Sequence, residues 1–131
     1  MHKRLLLCDD EPHILRAAEF KFKRAGFDVA TACDGEEGWQ RIQERRPDML
    51  ITDCQMPRLD GVSLVKRVRE HAELADLPIV MLTAKRFELS KDELCGEYGV
   101  VAVLSKPFSP RELLRLVEQT LEQHSAPQAA P

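Results

Sequence analysis

Five short and mostly apolar runs constrain the fold of this chain more than any other feature of its sequence. A strand with one face in water alternates apolar and polar residues, whereas a strand buried on both faces, as in a parallel sheet, does not. The runs occupy residues 5–8, 49–51, 79–82 and 100–104, with a weaker one at 29–32. They predict five strands of a parallel sheet that is covered on both sides.

Helical patterns separate these runs. The first helix should end at Gly26, a usual residue just past a helix, and the second should begin at Asp34 as its N-cap. The third begins near Gly61, and the fourth and fifth open at the capping boxes SKDE (90–93) and SPRE (109–112). Strands that alternate with helices form right-handed βαβ units, so the sequence predicts a doubly wound α/β fold with five strands and five helices.

Length and charge exclude several classes of protein. A chain of 131 residues is the size of one domain, which we expect over residues 1–123, with a disordered tail or linker stub over 124–131. The net charge of -3 and the scattered Lys and Arg residues give no footprint for direct nucleic acid binding. No apolar run approaches the roughly 20 residues of a membrane span, and the four cysteines lack a zinc-ligand spacing. We therefore expect a cytoplasmic protein with free thiols and no membrane contact.

Polar residues stand where the predicted strands end. Asp9 and Asp10 follow the first strand, Asp53 the third, Thr83 the fourth and Lys106 the fifth. Because parallel strands end at one edge of the sheet, where such folds bind ligands, these side chains should converge. Three neighbouring carboxylates favour a hard cation such as Mg²⁺. An added hydroxyl and ammonium would hold a phosphoryl group, with Asp53 as the nucleophile that accepts it.

In their order and placement these motifs resemble those of the response-regulator receiver domains of two-component signalling. The matching segments are CDDE, DCQMP, DG, TA and KPF, at residues 8–11, 53–57, 60–61, 83–84 and 106–108. The resemblance extends from about residue 3 to residue 123. It implies a flavodoxin-like sheet with strand order 2-1-3-4-5, and a cis peptide bond before Pro107.

The resemblance also implies a reaction and its partners. Asp53 would take a phosphoryl group from a phosphohistidine of a histidine kinase or a histidine phosphotransfer protein. Asp10, Asp53 and the backbone carbonyl of Gln55 would bind Mg²⁺, and Asp9 would do so through water. The chain would then be a phosphoacceptor that catalyses its own phosphorylation and dephosphorylation, rather than a conventional enzyme. As a single-domain regulator, or a piece of a larger regulator or hybrid kinase, it would signal by contact with an unknown downstream protein.

One position departs from the family pattern and leaves alternatives open. Val103 stands where receivers usually carry an aromatic ring, which swings inward when the threonine moves to the phosphate. The chain is therefore also compatible with a receiver-like binding module that is not phosphorylated. A third reading is a phosphatase of the haloacid-dehalogenase type, although Asp9 is followed two residues later by Glu11 instead of the second aspartate expected there. Gln55 and Lys85, which the resemblance places near the path of the hydrolytic water, would tune the lifetime of the phosphate.

Overall fold

The fold is known from a computed structural model that describes residues 3–84, 96 and 98–125. A 3-10 turn, Ala72–Leu74, precedes the fourth strand. The strands and α-helices follow one another as β1 (Arg4–Cys8), α1 (Pro12–Arg24), β2 (Asp28–Ala32), α2 (Gly35–Glu44), β3 (Met49–Asp53), α3 (Gly61–Arg69), β4 (Ile79–Thr83), β5 (Ala102–Ser105) and α4 (Pro110–Ser125).

The helix α4 corresponds to the fifth helix predicted from the sequence. The fourth predicted helix, opening at residues 90–93, lies outside the described residues. The same holds for most of the predicted tail, because α4 is described to Ser125 and residues 126–131 are not. Four α-helices therefore have both bounds in the described part of the chain, where Gly96 and Tyr98 are helical as well.

All five strands are parallel and form one sheet in the order β2-β1-β3-β4-β5, which confirms the predicted order. The strands β3 and β4 are buried along their whole length, and β1 is buried over its last four residues. The edge strands β2 and β5 are mostly half-buried. This difference explains why the run at residues 29–32 gave a weaker signal than the runs that form the centre of the sheet.

Two apolar layers cover the sheet, one on each face. Successive residues of a strand point to opposite faces, so Leu5 and Leu7 pack with the side chains of α1 and α4, whereas Leu6 and Cys8 pack with those of α2 and α3. Both faces are therefore core, and the runs show no polar alternation. The sheet can offer polar chemistry only at its edges and at the ends of its strands.

Local capping fixes where the helices begin. Asp34 accepts a hydrogen bond from the Glu37 backbone N–H at 2.8 Å, as predicted for the start of α2. Before α4, Ser109 and Glu112 exchange hydrogen bonds of 2.9 and 3.1 Å between side chain and backbone, which is the predicted capping box. These caps place the first turns of the helices beside the carboxyl edge of the sheet, where the site lies.

Candidate functional site

Three carboxylates meet at the carboxyl edge of the sheet. Asp9 and Asp10 follow β1, and Asp53 ends the neighbouring strand β3, whose Thr52 pairs with Cys8. The three side chains can each offer an oxygen within 4.8 Å of the others, so the predicted convergence is confirmed. Asp9 is fully buried, Asp53 is 6% exposed and Asp10 is exposed. The cluster therefore opens to solvent on the side of Asp10.

The Lys106 side chain joins this cluster from the edge strand. Its Nζ lies 3.0 Å from Asp53 Oδ2, 3.2 Å from Asp9 Oδ2 and 2.6 Å from Glu11 Oε2. Lys106 follows β5, and its backbone N–H donates to the Thr83 carbonyl at 2.7 Å. The peptide bond from Lys106 to Pro107 is cis, as the resemblance implied. The Lys106 ammonium thus forms ion pairs with three carboxylates.

Glu11 makes the shortest of the Lys106 contacts and was not predicted as a site residue. Its backbone N–H also donates to Asp9 Oδ1 at 2.9 Å, which orients the buried carboxylate. The signal was present, because Glu11 is the third acid in a row after β1. Sequence spacing alone gave no reason to pair it with a lysine 95 positions away.

A cleft of about 290 Å³ lies over the cluster. It is lined by Asp10, Glu11, Asp53, Gln55, Ala84 and Lys106. Thr83 is 7% exposed, ends β4 opposite Ser105, and is placed one residue from the cleft lining. The structure therefore brings the predicted acids, Gln55 and Lys106 to one cleft and sets Thr83 at its margin.

Burial has the largest effect on the pKa values of Asp9 and Asp53. It raises the pKa of Asp9 to about 6, with a further contribution from the charge of Asp53. Burial also raises the pKa of Asp53, although hydrogen bonding to Lys106 opposes the shift. Burial would lower the pKa of Lys106, but hydrogen bonds to Glu11 and Asp53 outweigh it, so its pKa is raised. Without a divalent cation the site thus keeps its ammonium charged and disfavours the ionised forms of Asp9 and Asp53.

The donor set fits a hard divalent cation. Asp9 Oδ2 is buried, has no hydrogen-bond partner among the described residues, and lies 3.2 Å from Lys106 Nζ. The Lys106 ammonium, which Asp9 shares with Asp53 and Glu11, offsets part of the cost of burying this oxygen, and a metal cation or an ordered water would offset more. Carboxylate oxygens at an open, partly solvated edge are the ligands that Mg²⁺ prefers. The Gln55 N–H lies 3.3 Å from Asp53 Oδ1, which puts its peptide group beside the cluster, and its carbonyl as a ligand stays a prediction.

The loop between β3 and α3 is pressed against two backbone segments. A Cβ on Gly61 would overlap the Asp53 carbonyl oxygen, and one on Gly35 would overlap that of Leu59. Between these contacts Arg58 has a positive φ of 67° and donates from Nε and Nη2 to Asp34 Oδ2 at 3.0 and 2.6 Å. No local sequence pattern indicates this pair, because 24 positions separate its members.

Val103 in β5 occupies the position where receiver domains usually carry an aromatic ring. Val103 lies in β5 opposite Met81 and packs, half-buried, against the core on the α2 and α3 side. Tyr98 packs against the same core, and Lys66 Nζ lies 5.6 Å from the centre of its ring. The described part of β5 therefore carries an aliphatic side chain at the place where receivers have the ring.

Comparisons with known proteins agree with the geometry. The sequence model described as the response regulator receiver domain matches residues 5–118. The alkaline phosphatase synthesis transcriptional regulatory protein PhoP of Bacillus subtilis is 38% identical over 122 residues, which are 92% of this chain and 49% of that protein. The chain thus spans about half the length of this curated relative.

Solved structures show the same fold. The chemotaxis response regulator CheY4 of Vibrio cholerae has a TM-score of 0.83 and 31% identity, with 92% of this chain and 99% of that one covered. The receiver domain of the sensor histidine kinase PA1611 of Pseudomonas aeruginosa has a TM-score of 0.79 and 29% identity, with 92% and 98% covered. In that structure a magnesium ion is coordinated in the active site cleft.

Among the described residues, no helix has the length and apolarity that crossing a membrane requires.

Proposed function

This chain belongs to the response regulator receiver domain family, and we propose that it accepts a phosphoryl group on Asp53 in a Mg²⁺-dependent reaction. The donor is a histidine kinase or a histidine phosphotransfer protein. The observation that carries the proposal is the position of the Asp53 carboxylate, 3.0 Å from Lys106 Nζ and within 4.8 Å of the oxygens of Asp9 and Asp10. A buried carboxylate, two further acids and an ammonium thus lie close together, which supports the proposal.

Six residues in and around the cleft have roles in this reaction. The Asp53 carboxylate attacks the phosphorus, and the bond from phosphorus to the donor nitrogen breaks as the donor leaves. Lys106 binds a phosphoryl oxygen as a charge-assisted donor, and the Thr83 hydroxyl donates to another. Asp10, Asp53 and the Gln55 carbonyl would hold Mg²⁺, with Asp9 bound through water. When bound, the ion neutralises charge on the transferred group.

The output follows from the change of charge at this edge of the sheet. A phosphoryl group adds acceptor oxygens and negative charge beside Thr83, which ends β4, and Lys106, which follows β5. These neighbours couple the acceptor to the surface around the two strands, and the signal passes to another protein surface by contact. Dephosphorylation is hydrolysis at the same centre, with Gln55 and Lys85 setting its rate.

A second candidate function rests on Val103. Because an aliphatic side chain occupies the place of the family's ring, a receiver-like module that binds partners without phosphorylation is the alternative. The phosphatase reading is not favoured, since the family match covers residues 5–118.

The test is mass spectrometry of the intact protein after incubation with acetyl phosphate or phosphoramidate. We expect a single phosphoryl adduct that requires Mg²⁺ and is absent from Asp53→Asn. The matched control is Asp76→Asn, since Asp76 is an exposed acid paired with Arg46 outside the cleft, and this variant should keep the adduct. A protein that binds Mg²⁺ but forms no adduct with either donor would support the binding module instead.

A further inference from the structure

We infer that Asp34 and Arg58 form a positioning pair that sets the geometry of the β3–α3 loop and, through it, the affinity of the Asp53 site for Mg²⁺. The inference rests on the proposed function, because it assigns these residues a part in the same cation site. Neither residue touches the cleft, so neither is a catalytic residue.

Asp34 is a fixed anchor. Its side chain is buried, with the residue 4% exposed, and Oδ1 accepts the capping hydrogen bond from Glu37 at 2.8 Å. The other oxygen, Oδ2, accepts both hydrogen bonds from Arg58. Hydrogen bonding to the Glu37 backbone, followed by the Arg58 guanidinium, lowers the pKa of Asp34. One carboxylate thus ties the start of α2 to the loop that leaves the acceptor strand.

Arg58 holds the loop in a conformation that its own backbone resists. A φ of 67° is unfavourable for a residue with a Cβ, and such conformations persist where surrounding contacts enforce them. The enforcing contacts are the two hydrogen bonds to Asp34 and the close packing of the next residue, Leu59, on Gly35. The loop is therefore clamped to α2 at two consecutive residues.

In the chain, the contacts of Arg58 and Leu59 with the start of α2 lie between the proposed cation site and the start of α3. Upstream, the Gln55 N–H contacts Asp53 Oδ1, so movement of the loop moves a peptide group beside the acceptor. The hydrogen bond of 2.9 Å from the Gly61 N–H to the Cys54 carbonyl closes the loop, so Gln55 and Arg58 lie in one short segment whose ends are held together. Because the Arg58 side chain is 66% exposed, it buries little, and its loss should alter local geometry more than folding.

Two variants separate positioning from stability. Asp34→Asn keeps a side-chain oxygen that caps α2 and removes the charge that holds Arg58. Arg58→Gly removes the guanidinium and tolerates the positive φ. For each we expect the Mg²⁺ dissociation constant, measured by isothermal titration calorimetry, to rise about tenfold, the lower range for residues that orient metal ligands. The double variant should be no weaker than either single one, and Arg58→Lys should lie in between.

The thermal unfolding midpoint of the metal-free proteins supplies the second readout, and we expect it to change by only a few degrees. The inference is overturned if both variants bind Mg²⁺ as wild type does, or if their losses add in the double variant. A wild-type protein that binds no Mg²⁺ would overturn the proposed cation site as well. If wild type and both variants bind Mg²⁺ equally well, only the role of Asp34 and Arg58 as a positioning pair is overturned.

Discussion

The buried Asp9 carboxylate stands out at the scale of single residues. It is fully buried, one of its oxygens accepts no hydrogen bond from the described residues, and Lys106 is shared with Asp53 and Glu11. Burial raises its pKa to about 6, so at neutral pH the metal-free fold carries an ionised group that its surroundings disfavour. We therefore assign Asp9 to the proposed cation site and expect it to lower the stability of the metal-free fold.

We predict that Asp9→Asn stabilises the metal-free protein at neutral pH. In the unfolded chain Asp9 loses its proton near pH 4, whereas in the folded protein it does so near pH 6. The cost of ionisation is therefore absent below pH 4, grows between pH 4 and pH 6, and is complete above pH 6. The variant should gain about 1–3 kcal/mol at pH 7.5 and almost nothing at pH 4.

Urea unfolding with a chelator present, at pH 4 and pH 7.5, measures this difference. Asp76→Asn, at an exposed ion pair, is the control and should change stability by less than about 1 kcal/mol at either pH. Asp9→Asn could instead be less stable than wild type at pH 7.5. The attraction between Asp9 and Lys106 would then outweigh the cost of burial, and our statement that ionised Asp9 destabilises the metal-free fold would be wrong.

At the scale of elements, the junction between β3 and α3 carries the tightest fit near the site. Gly61 begins α3 and faces the carbonyl oxygen of Asp53, where a Cβ cannot fit. Gly61→Ala must therefore displace either the helix or the end of the acceptor strand. We expect a loss of about 1–3 kcal/mol in unfolding free energy, together with weaker Mg²⁺ binding by calorimetry.

A second glycine provides the control for that substitution. A Cβ at Gly96 would meet no atom of the described residues within 4 Å, so Gly96→Ala should leave Mg²⁺ binding unchanged. Equal effects of the two substitutions would show that the loss at Gly61 reflects glycine's backbone freedom and not the contact with Asp53.

The elements also show which parts of the structure the sequence could predict. Caps such as Ser109 with Glu112 involve residues three apart, and buried strands reveal themselves by their own composition. Strand ends then follow from topology, which is why Asp53 and Lys106 were placed correctly. The pairs of Lys106 with Glu11 and of Arg58 with Asp34 depend on side-chain directions across distant segments, and no local pattern encodes them.

At the scale of the whole molecule, two apolar layers hold a sheet whose carboxyl edge collects like charges. The core clusters on the two faces fix β1 and β3 in register, so the acids at the ends of these two strands cannot separate to relieve their repulsion. The repulsion between these carboxylates lowers the stability of the folded state. A bound cation should restore part of the lost free energy of unfolding. Cation binding and global stability are thus linked.

We predict that Mg²⁺ raises the thermal unfolding midpoint of the whole domain. Above the dissociation constant, each tenfold rise in free Mg²⁺ adds about 1.4 kcal/mol if the ion binds only the folded state. For a domain of this size that corresponds to about 4–6 °C. Differential scanning fluorimetry at pH 7.5 measures the shift, with Na⁺ added to hold ionic strength constant. Asp10→Asn, which removes the exposed acid of the cluster, should lose the dependence on Mg²⁺. A wild-type midpoint that does not move with Mg²⁺ would mean that the three carboxylates do not form a cation site.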